Sequence, residues 1–488
     1  MPLELIPILA LVAMFIAATL LPINMGTLGF VAAFLVGTIA VGMTTDDIIA
    51  GFPSDLFLTL VGVTYLFAIA QNNGTVDLMI RGAVHLVRGR IAFIPWVMFG
   101  ITAVLTALGA LGPAAVAIIA PIALGFAKQY RINALLMGMM VIHGAQAGGF
   151  SPISIYGVTV NNIAANAGLV NSPLTLFLGS LFFNAGIGVA LFIFLGGRSL
   201  IGRSVHDEPG DQSDGSGRSS TGGSPMFSGH GMVASRATLT APPNTAVSPV
   251  PRRAISFDQI LTLLGLAALA LFSLVLDLDI GFVSMTVAAV LAFASPKAQK
   301  GAVAQISWST VLLIGGVLTF VGVLQEAGSV EWVGNGVAQL GMPLLVALLL
   351  CYLGAIVSAF ASSVAILGAT IPLAVPLLLA GEISPIAVIV ALAISSTIVD
   401  VSPFSTNGAL VLANAQDVDR DRFYKQILKY SIVVVVIGPL IAWAALVLPG
   451  WLSWSDNVPA APAAATLLFS ANDFLEPRPL TGGRSMSG

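Results

Sequence analysis

Blocks of apolar residues long enough to cross a bilayer recur along the chain, separated by short polar stretches. In the first half they cover residues 3–21, 27–42, 52–71, 91–126, 134–165 and 174–195. About 20 residues of helix cross a hydrocarbon core of about 30 Å, so most blocks read as single membrane helices. Two do not fit one straight helix. Residues 91–126 are too long and are broken by Gly109, Gly112 and Pro113; residues 134–165 are interrupted by Gly148, Gly149 and Pro152. Between the third and fourth blocks, residues 72–90 form an amphipathic stretch with Arg81, Arg88 and Arg90, which predicts an interfacial arm. The order repeats at residues 260–276, 281–294, 308–325, 344–380, 386–412 and 432–448, again with a short amphipathic stretch after the third block.

The repeat has a register. Gln71, Gly74 and Asp77 match Gln325, Gly328 and Glu331 at an offset of 254, and Pro121 matches Pro372 at 251. The offset of 251 also places Ser151-Pro152-Ile153-Ser154 on Ser402-Pro403-Phe404-Ser405. Helix breakers at matching depths argue for two copies of one unit, because chance apolar similarity does not place Pro and Gly together.

Composition and charge turn this pattern into a topology. Only 8 % of residues are charged against 57 % hydrophobic, and the mean hydropathy is +0.98. Soluble domains carry roughly a quarter charged residues, so this chain has too little polar surface to cover a core. The lone cysteine, Cys351, excludes a disulfide framework. Met1 to Glu4 lacks the basic start of a secretory signal, so the first helix is expected to be retained. If residues 91–126 and 344–380 are re-entrant hairpins, each half has five crossings. Two copies with an odd number of crossings are inverted in the membrane, a plan that transporters use. The hairpin topology then puts every Lys and Arg except Arg478 and Arg484 on one side, which the positive-inside rule makes cytoplasmic. Asp46, Asp47, Asp277, Asp279, Glu326, Glu331 and Glu382 fall on the other side. The expectation is an all-α polytopic protein of the inner (plasma) membrane of bacterial type. It has two inverted repeats of five transmembrane helices, each with a re-entrant hairpin and a broken helix, and both termini outside. The units are residues 1–196, a Ser/Gly/Thr/Pro-rich disordered cytoplasmic linker at 197–257, residues 258–449, and a loosely ordered tail at 450–488.

The breaks are where chemistry is expected. Interrupted helices are costly in lipid unless they are buried in protein or line a cavity. Their exposed N-termini suit an anion, and freed carbonyls and hydroxyls suit a small cation. The residues so placed are Gly112, Pro113, Ser151, Pro152, Ser154, Tyr156, Ser362, Ser363, Ser402, Pro403, Ser405, Thr406 and Asn407. No Lys or Arg lies near the middle of an apolar block, so an anionic substrate would rely on dipoles, hydroxyls and amides, helped by a co-bound cation. Asp400 is an intramembrane carboxylate, read as a proton carrier, a cation ligand or a structural acceptor. His143 is read as a titrating group or a packed, hydrogen-bonded one. Coupling-ion candidates are Asp400, Ser362, Ser363, Gly149 and His143, with sodium or a proton as the ion and no other cofactor. Asp55 and Asp258 sit near helix starts and are expected to cap them.

Three segments carry a family resemblance: LPINMGTLGFVAAFLVGT, GVTYLFAIAQNNGTVD and HGAQAGGFSPISIYG. Roughly the first 170 residues resemble the N-terminal domain of the MatC-type malonate and dicarboxylate carriers. The whole chain, less linker and tail, is similar in layout to the divalent-anion:sodium symporters of the ion-transporter superfamily. The resemblance implies a homodimeric, elevator-type secondary carrier of malonate or C4-dicarboxylates, coupled to sodium or protons, with no nucleic-acid partner. Those symporters carry Ser-Asn-Thr at both hairpin tips, whereas this chain has Leu111-Gly112-Pro113 and Ser362-Ser363-Val364. Within the superfamily, a sodium/proton antiporter or an oxyanion efflux permease is the alternative. A membrane enzyme fits poorly, because His143 and Asp400 stand apart without metal-ligand spacing. A channel is a further alternative, to which the broken helices are less suited than to alternating access.

Overall fold

The computed structural model describes residues 2–21, 23–85, 90–203, 255–276, 278–338, 342–359, 363–379, 381, 383–415 and 418–449. The described residues form helices and connecting turns, with no β-strand. Residues 204–254 of the linker and the whole tail, together with Arg88, Asp277, Glu382 and Ser362, lie outside them; the expected linker is too long at both ends, since Gly197–Leu200 form a 3₁₀ turn and Phe257 already opens a helix.

The first half contains α1 (Leu5–Leu20), α2 (Met25–Leu35), α3 (Thr45–Ala50), α4 (Ser54–Asn72) and α5 (Thr75–His85). It continues with α6 (Ile94–Ala107), α7 (Gly112–Gln129), α8 (Ala134–Gly148), α9 (Ile155–Asn166) and α10 (Pro173–Phe194). The second half contains α11 (Phe257–Leu274), α12 (Ile280–Ala294), α13 (Pro296–Gln299), α14 (Trp308–Glu326) and α15 (Ser329–Ala338). Then come α16 (Pro343–Ser358), α17 (Ser363–Leu379), α18 (Pro385–Ile398), α19 (Thr406–Ala413) and α20 (Arg420–Ala442). Each helix of the first half therefore has its counterpart ten helices later.

Packing follows the same correspondence. α2 packs on α14 and α4 on α12, so each half lends one helix to the other's partner. Small residues allow these crossings. A Cβ on Gly62 would lie 2.3 Å from Ser284 Oγ, and one on its equivalent Gly316 would lie 1.8 Å from the Gly26 carbonyl oxygen. Backbones can approach this closely only at such residues. α8 packs on α6 and α10, as α18 packs on α16 and α20. On α8 the contact face is Gly144 and Gly148, where a Cβ would strike the carbonyl oxygens of Phe99 and Ala103. The second hairpin arm of each half meets the other half's broken helix, α7 on α19 and α17 on α9.

The amphipathic arms are built alike. Gly74 (φ 77°) and Gly328 (φ 70°) take the left-handed turn that only glycine adopts cheaply. Asn73 Oδ1 then accepts from the amide and hydroxyl of Thr75, while Ser329 Oγ donates to the Glu4 carbonyl.

Seven helical segments are long and apolar enough to span a bilayer among the described residues, including α4, α7, α10, α11 and α14. α11 and α12 expose Leu264, Phe282 and Phe293, an apolar face that lipid would cover.

Several boundaries differ from the expectation. The second block is an α-helix only to Leu35 and continues as a π-helical turn over Val36–Val41. The last helix starts at Arg420, well before residue 432, because its first turns are charged and amphipathic; Asp419 caps them. Asp258 does not cap α11. Ser256 does so, in a reciprocal box with Gln259, and Asp258 accepts from Ser295 instead. Nor does Asp55 cap α4, which begins after Pro53 without a side-chain cap.

Candidate functional site

Both broken helices reopen through one hydrogen-bond pattern. After α8, Ser154 Oγ donates to the carbonyls of Gly149 (2.5 Å) and Ser151 (2.7 Å) and accepts from Gly157 N at 3.3 Å. After α18, Ser405 Oγ donates to the carbonyls of Asp400 (2.5 Å) and Ser402 (2.7 Å) and accepts from Gly408 N at 3.2 Å. Each serine is the N-cap of the helix that resumes. A Cβ on Gly157 or Gly408 would lie 2.0 Å from the Ser151 or Ser402 carbonyl oxygen, which explains the glycine three residues after the cap. The sequence expectation that these two motifs are equivalent thus has a structural cause.

The side chains around the two breaks differ. In the second half, Ser363 Oγ at the start of α17 donates to Asp400 Oδ1 at 2.7 Å, and Ser358 Oγ at the end of α16 lies 2.9 Å from Ser363 Oγ. Ser363 has one proton and gives it to the carboxylate, so Ser358 is the donor in that contact. The chain Ser358→Ser363→Asp400 joins both hairpin arms to the break. All three residues are buried. At the offset of 251, their first-half equivalents are Ala107, Gly112 and Gly149, none with a polar side chain. There, Ser151 Oγ donates to the Ala107 carbonyl at 2.6 Å and no carboxylate is involved.

Asn407 reaches across to the first hairpin. Its Nδ2 lies 3.8 Å from where a Cβ on Gly112 would be, and its Oδ1 is buried with no hydrogen-bond partner. Tyr156, its equivalent, lies within electrostatic reach of Asp400. The two breaks therefore face each other's hairpins, and the structure brings Gly112, Asn407, Ser363, Asp400 and Tyr156 into one region. Pro152 is half-buried and Pro403 buried beside the turns, whereas Thr406 is exposed. Pro113 stands in the first turn of α7.

His143 belongs elsewhere. Its Nδ1 is 2.9 Å from Asn184 Oδ1 and its Nε2 is 2.6 Å from the Tyr430 hydroxyl. Asn184 Nδ2 donates to the Ser180 carbonyl, which leaves Oδ1 as acceptor for an Nδ1–H. Nε2 then accepts from Tyr430, and a fully buried neutral imidazole has both nitrogens occupied. These contacts fit the packed, hydrogen-bonded reading of His143.

Two cavities lie at equivalent places in the two halves, beside α4 and α14. One, of about 70 Å³, is lined by Thr64, Phe67, Gln71, Gly109, Leu111 and Gln305. The first hairpin tip borders it: Gly109, at φ 108°, sits so near α4 that a Cβ would lie 2.3 Å from Val63 Cγ1. The other, of about 580 Å³, lies beside α14 and is lined by Gly42, Asp47, Gly51, Thr319, Gly322 and Glu326. Hydrogen bonds from the Thr44 hydroxyl and amide hold the Asp47 carboxyl below its usual range. No cluster of three or more His, Cys, Asp or Glu residues able to hold a metal occurs among the described residues.

Residues 1–149 match the family described as Dicarboxylate carrier protein MatC N-terminus. The match spans 149 of 488 residues, from α1 to the first residue of the first break. It coincides with most of the region whose segments resemble those carriers. No curated protein matches the chain. The hydroxyl–carboxylate chain and the whole second half lie beyond the matched residues. Ser358 was missed by sequence reasoning, although the register that pairs it with Ala107 was available.

Proposed function

We propose that this chain is a secondary active carrier of small dicarboxylates, malonate or a C4-dicarboxylate, driven by a sodium or proton gradient. The observation that carries the coupling is the Ser358–Ser363–Asp400 chain, which joins a hairpin tip to a helix break in the second half only. The match of residues 1–149 to a dicarboxylate carrier family supports the substrate class. Both helices that resume after the breaks present N-terminal amides to the region, and a dicarboxylate would be held by these, by Asn407 and by serine hydroxyls. A cation near Asp400 would offset the anion's charge where no Lys or Arg is at hand.

In this reading the halves are inverted, the paired contacts of α2 with α14 and α4 with α12 form a scaffold, and α6–α10 with α16–α20 form the moving body of an elevator. The protein sits as a homodimer in a bacterial-type inner membrane, with the 197–257 linker cytoplasmic and both termini outside. Purified protein in liposomes should take up labelled malonate or succinate when a sodium or proton gradient is imposed. Failure to take up any di- or tricarboxylate under either gradient would end this reading.

A second reading rests on Asp400 itself. An isolated carboxylate at a helix break also fits a sodium/proton antiporter. Everted vesicles whose pH dye responds to sodium without any organic acid would favour it.

A further inference from the structure

The turn that carries Asp400 is fastened from outside by one side chain. Gln146, on α8, donates from Nε2 to the Thr397 carbonyl at 2.9 Å, and both residues are buried. Thr397 is three residues before Asp400, where α18 ends at Ile398 and the chain tightens into a 3₁₀ turn over Val399–Val401. In an uninterrupted α-helix this carbonyl would accept from the amide of residue 401. Tightening the turn withdraws that amide and leaves the Val399 N–H, two residues on, as the backbone contact of this buried carbonyl, a poor substitute for the α-helical bond. Gln146 supplies a second donor, from outside the helix.

The geometry also says what holds Gln146. Ser180 Oγ on α10 donates to the Gln146 carbonyl at 3.0 Å, and Ser180 accepts from Asn184, the partner of His143. The Oε1 of Gln146 is buried with no hydrogen-bond partner, so the bond to the Thr397 carbonyl orients the amide. Reversing the amide would put oxygen against oxygen. At the offset of 251, Gln146 and Thr397 are equivalent positions. The contact therefore joins the two halves where each meets its own counterpart.

We propose that Gln146 is a positioning residue for Asp400: it fixes the turn on which the carboxylate is carried and so sets the affinity for the coupling cation. This rests on the proposed transport function for one readout and is independent of it for another. In liposomes, Gln146→Met should raise the cation concentration for half-maximal malonate uptake about tenfold, with the amount of folded protein unchanged. In an Asp400→Asn background the same substitution should add nothing to the cation dependence, since the residue acts through Asp400. In detergent, without substrate, a hydrophobic carbodiimide should label Asp400 several-fold faster in Gln146→Met than in the wild-type protein, because the loosened turn admits the reagent. Gln146→Asn keeps an amide but falls one methylene short; it should behave the same way and serves if the methionine variant does not fold. An unchanged labelling rate overturns the assignment whatever uptake does, and so do uptake effects that multiply in the double variant. Faster labelling in a protein that carries no dicarboxylate would keep this assignment and sink the transport reading.

Discussion

The two helix breaks share a backbone and differ in what they can bind. Ser154 with Gly157 and Ser405 with Gly408 make the same three hydrogen bonds to within 0.1 Å. Around the first break, Ala107, Gly112 and Gly149 leave only backbone; around the second, Ser358, Ser363 and Asp400 form a continuous hydroxyl–carboxylate chain. The two halves therefore keep the turn geometry in both and place the ionisable chemistry in one. Helix unwinding and the hydroxyl–carboxylate chain are separable here: the first needs a serine cap and a glycine, the second needs side chains at three further positions.

Four measurements would break or sharpen this comparison. The largest effect should come from the shared backbone. Gly157→Ala and Gly408→Ala each drive a Cβ into a carbonyl oxygen 2.0 Å away, and each should lose about 3 kcal/mol or more. The two losses should be alike in a thermal unfolding assay; a tolerated alanine at either site would deny the common turn. Next, Asp400→Asn should lower gradient-driven uptake about a hundredfold, or about 2.7 kcal/mol, with normal expression. Wild-type coupling in that variant would make the carboxylate merely structural.

Ser363→Ala should weaken half-activation by the coupling cation about tenfold, near 1.4 kcal/mol, the size of a hydrogen bond to a charged group. Its mirror, Gly112→Ser, should leave cation activation within about twofold, because the first half has no carboxylate for the new hydroxyl to serve. Equal effects of the two would erase the asymmetry. The smallest effect belongs to His143→Gln. With both ring nitrogens committed to Asn184 and Tyr430, it should lower thermal stability by about 1 kcal/mol while cation activation stays within about twofold. A large change in ion dependence there would bring the histidine back into the coupling path.

Much of this architecture was legible because helix breakers are local signals. Gly-Pro pairs and Gly-rich turns interrupt an apolar run wherever they fall, so the offsets of 254 and 251 exposed the repeat and its broken helices. The start of α20 was not legible, since Arg420 to Lys429 carry charge that a hydropathy reading assigns to a loop, although Asp419 caps a helix there. The π-helical turn at Val36–Val41 has no apolar or polar signature of its own. At the site, the serines of both turns were found from spacing. Ser358 and Gln146 were not assigned to it, because their partners, Ser363 and the Thr397 carbonyl, come from contacts between helices that no single segment reveals.

The apolar first hairpin tip has a consequence for membrane energetics. A cell membrane holds a potential worth about 2.3 kcal/mol per elementary charge at 100 mV, and any continuous file of water through a carrier would dissipate it. Gly109 packed on Val63, with Leu111 beside it, puts hydrocarbon where a polar tip would keep a hydration shell. The first hairpin tip thus offers water fewer polar partners than the second hairpin, where Ser358 and Ser363 reach Asp400.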